Sequence, residues 1–421
     1  MSGKLIYFVQ QPLYDRDLMR HGILQFHAEG FRIAVIDLTE IIRPETLRPG
    51  KPSLLPDNVE IIEPANWAEF ETLERKINDA DLVFLFIQSY GLSATTLRPL
   101  RMLARTGTPY AIQGTASMPG LAHHVHKPMS QPLSTLWDRL KHMNIQNSII
   151  SRLSPTMLNI TYAQYALVPC AEEISIFGNS LVGPKTQIVP VHTSDYETFR
   201  NADLAEAQPK SGGVKKAIFV DQNTPHHIDY LQLNGRAVDA EAYYTQLRKT
   251  FDTIENNAGV KIEISKHPRA VYDDADPCFG GRPIYGGRTV EMIAESDLVL
   301  THHSTAIGFA ILLRKPIAFL VSKELYNRHP VDRACYDALS KEVGSPLRFM
   351  DKLNEKMLDG LFNVDLALYD SYASRYLRHP DAKDAPYWDS AKAFIPEIAS
   401  PRPALNNVQS LNEKRVALDD R

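Results

Sequence analysis

Three runs in the second half of the chain place histidines, hydroxyls and carboxylates where an apolar segment stops. In Ile264-Ser265-Lys266-His267-Pro268-Arg269 a strand-like stretch ends on a histidine, and Pro268 holds His267 in an extended conformation. Lys266, His267 and Arg269 offer ammonium, imidazolium and guanidinium donors to an anion within one turn. In Leu298-Val299-Leu300-Thr301-His302-His303-Ser304-Thr305-Ala306-Ile307-Gly308-Phe309-Ala310 an apolar strand breaks into polar residues and an apolar helix follows at once. Ser304 or Thr305 is expected to cap that helix, leaving first-turn amides, beside His303, free to attract a phosphate. In Ala217-Ile218-Phe219-Val220-Asp221-Gln222-Asn223-Thr224-Pro225-His226-His227-Ile228-Asp229 a strand ends in a loop with acids, the Gln222 amide and two histidines. The bland alternatives are a charged strand end, an ordinary Ser/Thr cap and a turn whose Asp and Asn bond their own backbone. The second run, beside His267 at an expected switch point, favours phosphate chemistry over those.

Such tips need parallel strands to carry them. The first half alternates unbroken apolar runs (Lys4–Gln10, Phe31–Leu38, Val59–Glu63, Leu82–Gln88, Pro109–Gln113, Tyr165–Pro169) with helix-length segments (Asp15–Glu29, Trp67–Ala80 and Ser93–Arg105, the last opening on a serine cap). Strands without polar alternation, separated by helices, imply a parallel sheet covered on both faces. The second half repeats the pattern: Ala217–Val220, helix Ala240–Asn257, Lys261–Ser265, helix Val290–Glu295, Leu298–Thr301, helix Ala306–Leu313 and Ile317–Val321. The expected class is therefore α/β of the GT-B kind, two Rossmann-like domains with parallel sheets facing across a cleft. Residues 1–200 are expected to form the first domain, 201–216 a linker rich in polar residues, proline and glycine, and 217–388 the second domain. Residues 389–400 read as a closing segment whose helix, Asp389–Ile395, is stopped by Pro396 and packs back on the first domain, and 401–421 as a solvated tail.

Composition excludes several classes. A chain of 421 residues suits two domains of ~200 residues. With 44% hydrophobic and 23% charged residues it is an ordinary globular chain. A net charge of −4 with dispersed basic residues gives no nucleic-acid footprint. Neither a signal peptide nor a membrane span is legible, and Cys170, Cys278 and Cys335 form no disulfide framework, so a reducing cytoplasm is expected. No Gly-x-x-x-x-Gly-Lys, Gly-x-Gly-x-x-Gly or Gly-x-Ser-x-Gly occurs where a P-loop, nicotinamide or hydrolase site would need it.

The order strand–Asp-Gln, strand–His-Pro, strand–Ser-Thr-x-x-Gly-Phe, spanning about Ala217 to Val321, resembles capsule and surface-carbohydrate glycosyltransferases. It is similar to the bacterial Kdo transferases and, more distantly, to GT-B sialyl- and polysialyltransferases. Gly280-Gly281-Arg282-Pro283-Ile284 and Thr289-Val290-Glu291 fall inside the match, and Gly183-Pro184-Lys185-Thr186 with His192-Thr193-Ser194-Asp195-Tyr196 looks like the interdomain crossing of related proteins. The resemblance implies a CMP-activated acid sugar (Kdo, sialic acid or another nonulosonate) as donor and a surface glycan as acceptor. It puts His267, Ser304 and Thr305 on the donor phosphate, with Pro268 shaping the loop; Arg269, His303, Gln222 and Glu291, at the same strand ends, are expected to complete the donor site. It implies no cofactor, no metal, and work in the cytoplasm, with contact to a membrane-bound acceptor as an option. The acidic pair followed by glycine that supplies the base in sialyltransferases is missing: Ala28-Glu29-Gly30 and Leu358-Asp359-Gly360 carry one acid each.

Transfer from such a donor proceeds through an oxocarbenium-like state, so the departing phosphate must be stabilised, here by protonated His267 and helix amides. An inverting reaction also needs a carboxylate base, for which Asp221 is favoured over Asp195 and the pair Glu172/Glu173. Asp274-Ala275-Asp276 and His123-His124 with His126 are read as loops rather than metal sites. Three rivals stay open: a CDP-glycerol-type glycerophosphotransferase, a UDP-GlcNAc 2-epimerase on the same fold, and a non-catalytic scaffold.

Overall fold

The computed structural model describes residues 3–44, 50–86, 92, 94–113, 118–120, 150, 153–170, 181–205, 207, 213–226, 238–268, 270, 272, 276–328 and 330–399. The chain divides into two compact units: one drawn from Met1–Thr115, Ser130–Ser194 and His379–Leu418, the other from Ala116–Met129, Asp195–Arg378 and Asp419–Arg421.

Among the described residues the first unit has seven parallel strands: β1 (Lys4–Val9), β2 (Arg32–Asp37), β3 (Glu60–Ile62), β4 (Leu82–Phe86), β5 (Tyr110–Gln113), β6 (Tyr165–Val168) and β7 (Gln187–Pro190). Their order is β3-β2-β1-β4-β5-β6-β7. Alternate residues of β1 feed opposite cores. Ile6 and Phe8 pack with Phe70 and Leu100 on one face, while Leu5, Tyr7 and Val9 pack with Phe26, Phe84 and Trp388 on the other. Both faces are apolar, which is why the strands read as continuous hydrophobic runs.

The second unit carries β8 (Lys215–Val220), β9 (Val260–Ser265), β10 (Ile284–Tyr285), β11 (Leu298–Thr301), β12 (Ile317–Val321) and β13 (Leu347–Phe349), all parallel, in the order β10-β9-β8-β11-β12-β13. This is the doubly wound order in which the chain steps outward from β8 twice, then returns to its other side at β11. The GT-B composition of two Rossmann-like parallel α/β domains is thus what the sequence builds. No helix among the described residues is long and apolar enough to cross a membrane.

Several expected elements come out differently. Asp15–Glu29 is two helices, Asp15–Arg20 and Ile23–Ala28, because Gly22 adopts φ 71° between them. A Cβ at Gly22 would also stand 2.6 Å from Trp388 Nε1. Trp67–Ala80 likewise splits into Trp67–Glu71 and Glu74–Asn78; at the break the Thr72 hydroxyl donates to the Glu69 carbonyl, 2.6 Å. Ser93 lies outside the described residues, and its helix runs Ala94–Thr106. The strands β7, β10 and β13 were not expected; they are short and lie at or near sheet edges, where Pro190 does no harm. Pro396 does not end the chain's last helix. The helix Tyr387–Lys392 precedes it, and Pro396 opens a further turn, Pro396–Ala399, as proline does at a first helical position. Both turns bury Trp388, Ala391, Ile395 and Ile398 in the first unit.

Candidate functional site

Register fixes which residues stand together at the carboxyl edge of the second sheet. Val220 pairs with Ser265 on one side and Thr301 on the other. One step beyond, Asp221 is flanked by Lys266 and His302; two steps beyond, Gln222 is flanked by His267 and His303. The sheet therefore brings the three runs to neighbouring tips, at the point where the strand order reverses between β8 and β11.

The central tip stitches its neighbours. Asp221 is 3% exposed; its carboxylate accepts the Asn223 N–H at 2.9 Å and stands 3.5 Å from the His267 N–H. The Gln222 side-chain oxygen accepts the His303 N–H at 3.0 Å. Asn223 takes a left-handed φ of 51°, and its side chain accepts from the Tyr272 hydroxyl at 3.1 Å, which in turn meets the Tyr244 hydroxyl at 2.9 Å. Burial pushes the Asp221 carboxyl up to about 6, with the backbone donors of Asn223 and His267 opposing it. Asp221 was expected to face the crevice as a base. It is buried, with its oxygens directed at the backbone amides of Asn223 and His267.

The tip of β11 divides its two histidines between packing and anchoring. His302 is 1% exposed; its Nδ1–H donates to the Leu320 carbonyl at 2.6 Å and its Nε2 accepts from the Tyr243 hydroxyl at 2.8 Å. Burial lowers it to about 4, so it is a neutral packing group. His303 is turned toward the helix Pro330–Val343, with its ring 4.8 Å from that of Tyr336 and Nε2 3.6 Å from the Asp332 carboxylate. Its backbone, rather than its ring, joins the row of tips through Gln222.

The expected cap is also revised. The helix is Ile307–Leu312, its N-cap is Ala306, and Ser304 Oγ accepts the Ala306 N–H at 3.2 Å. The Ile307, Gly308 and Phe309 amides are spent on the carbonyls of Ser304, Thr305 and Ala306. A six-residue helix entered through such tight turns uses its own first amides. What the turn can still offer a phosphate is the Ser304 and Thr305 hydroxyls and main-chain groups. Gly308 has a packing reason: a Cβ there would stand 2.9 Å from Leu377 Cδ2 and 4.0 Å from the Asp195 Cβ. That contact brings Asp195, at the start of the helix Ser194–Asn201, close to the same turn.

The remaining candidates fall as follows. Pro268 is exposed directly after His267. Glu291 is half-buried in the first turn of the helix Thr289–Glu295, whose Thr289 hydroxyl bonds Ser265 at the tip of β9, 2.8 Å. Asp276 caps the backbone of Cys278 at 2.9 Å. Arg269, Asp274, Glu172, Glu173, His227 and the His123–His126 run lie outside the described residues. Sequence reasoning missed Tyr243, Tyr244 and Tyr272. The adjacent tyrosines at the start of the helix Ala240–Ala258 were the available signal, since a buried phenol requires a partner.

No family model matches the chain, and no curated protein matches it. Among solved structures it is similar to a variant of the wall teichoic acid polymerase TagF soaked with CDPG, at 13% identity, covering 100% of this chain and 90% of that one, TM-score 0.46. A protein described as a UDP-N-acetylglucosamine 2-epimerase from Listeria monocytogenes shows 12% identity over 93% and 95% of the chains, TM-score 0.46. The glycosyltransferase SnogD from Streptomyces nogalater shows 12% identity over 100% of both, TM-score 0.40. These are distant likenesses of chain path, and the fold rests on the two sheets described above.

Proposed function

We propose that the protein is a glycosyltransferase that takes a sugar from a nucleotide-linked donor and passes it to a hydroxyl of a glycan. The donor phosphate is held in the second unit by His267 on one side and the Ser304–Thr305 turn on the other. The observation that carries this reading is the row of three tips stitched by Asp221 and Gln222 at the sheet's switch point. A parallel sheet binds ligands at that edge, and a cationic imidazole with two hydroxyls suits a leaving phosphate. Asp221 is a positioning residue in this scheme, fixing the backbone from which His267 projects.

For the donor we propose a CMP-linked acid sugar, on the strength of the motif order shared with Kdo and sialyl transferases, and for the acceptor a surface polysaccharide met at the inner face of the cytoplasmic membrane. The test is a thermal-shift series with CMP, CDP, UDP and GDP, followed by donor-only turnover. A ligand at 100 times its Kd adds about 2.7 kcal/mol to a folded protein, so the right base stands out. A shift and nucleotide release with CMP are expected. Selective response to CDP replaces the donor by a CDP-polyol, response to UDP points to the epimerase, and no response to any nucleotide ends the transferase reading.

A further inference from the structure

The contact between Asp221 and His267 is too long to fix the histidine's backbone by itself. The Asp221 carboxylate stands 3.5 Å from the His267 N–H, at the outer limit of a hydrogen bond. A turn closes behind the histidine, where the Ala270 N–H donates to the His267 carbonyl at 2.9 Å. That turn is tight but local, and it ties the loop only to itself.

Five residues beyond His267, Tyr272 crosses from the loop after β9 to the loop after β8 at shorter range. Its hydroxyl donates to the Asn223 side-chain oxygen at 3.1 Å and meets the Tyr244 hydroxyl at 2.9 Å. The same hydroxyl hydrogen-bonds the Asp221 carboxylate, where it opposes the upward push of burial. A phenol has one hydrogen to give and can accept another. Tyr272 therefore gives its hydrogen to the β8 loop, and Tyr244 donates to Tyr272 from the other side. Burial pushes both phenols well above their ordinary value, so each keeps its hydrogen at any working pH. Cys278, which also feels the Asp221 charge, is pushed up by burial in the same way and stays a neutral thiol.

The anchor is firm behind the hydroxyls. Tyr244 is buried in the helix Ala240–Ala258, and its ring meets Phe279 edge-on at 5.5 Å. The Tyr272 ring meets the same Phe279 at 5.3 Å, and Phe279 is itself fully buried. Edge-on packing against one immobile ring aims both phenols at the β8 loop.

We infer that Tyr272 is a positioning residue for His267: braced by Tyr244, it pins the loop that carries the histidine to the tip of β8. The inference rests on the transfer reading only in giving His267 its task. The pin is measured in the free protein, without nucleotide, so the two readings fail separately.

The test compares the wild type with Tyr272→Phe and Tyr244→Phe. Amide hydrogen exchange is followed by mass spectrometry on the peptide that carries His267, and the Asp221 carboxyl is titrated by carbon-13 NMR. Tyr272→Phe keeps the ring against Phe279 and removes the pin. Exchange around His267 should then quicken by roughly three- to tenfold, while amides of β11 and β12 keep their protection. Loss of the hydrogen bond that holds the carboxyl down should move the Asp221 midpoint above about 6. Tyr244→Phe removes only the brace and should shift both readouts the same way by a smaller amount. Unchanged exchange at His267, faster exchange throughout the second unit, or an Asp221 midpoint that stays or falls overturns the pin.

Discussion

His267 stands at the tip of β9 with its main chain beside the Asp221 carboxylate, and its chemistry in the proposed reaction is to meet charge on a departing phosphate. Removing one such electrostatic donor costs ~10²-fold in turnover, so His267→Ala should lower kcat by about that factor while far-UV dichroism and Tm hold. Near-normal kcat would remove His267 from the scheme. Asp221 makes a separate statement about pH. Burial raises it from the ordinary 3.8 to about 6 in the folded protein, which therefore binds more protons between those values. Asp221 therefore favours folding at low pH, and that contribution is lost as pH rises toward 6. Asp221→Asn should raise Tm relative to wild type more at pH 8 than at pH 4, and an equal difference at both would refute the burial argument. At this scale the sequence was legible where a motif ended a strand, as at His267 and Gln222. The burial of Asp221 was not legible, because its partners are backbone amides that only the fold brings to it.

The strands were the most legible elements. β1, β2, β4, β5, β8, β11 and β12 are covered on both faces, and such burial writes itself as an apolar run; β9 buries one face through Val260, Ile262 and Ile264 and leaves Lys261 exposed on the other. Helix interiors were less so, since amphipathic spacing continued through Gly22 while the backbone did not. Gly22 sits in the left-handed region, with Trp388 and Phe26 within 2.9 Å of where a Cβ would lie. Gly22→Ala should therefore destabilise the first unit by about 2–4 kcal/mol, combining left-handed strain with overpacking. Chemical denaturation reads this directly, and a loss under ~0.5 kcal/mol would mean that the turn relaxes freely. Gln222→Ala acts between elements. It frees the His303 amide and should weaken nucleotide binding through a raised donor KM more than a lowered kcat, with wild-type kinetics as the contrary result.

The two units are not two consecutive halves of the chain. The first is begun by the opening residues and completed by a segment from His379 onward, whose Tyr387, Trp388, Ile395 and Ile398 are buried in its core. Burying side chains of this size contributes about 1.5–3 kcal/mol each, which together rivals the ~5–15 kcal/mol net stability of a domain. A chain ended after Arg378 should keep a protease-resistant second unit and lose protection of residues before Ser194. Equal resistance of both would show that the returning segment is dispensable. Little in the sequence revealed how much rested on it, because the segment is short and its partners lie hundreds of positions away. The same arrangement sets a timetable for biosynthesis. The roughly 180 residues between Asp195 and Arg378 take about 10–40 s to translate at 5–20 residues per second. Throughout that interval the nascent first sheet waits with the apolar surface around Phe26 and Phe84 uncovered, a natural client for a ribosome-associated chaperone until the last helices emerge.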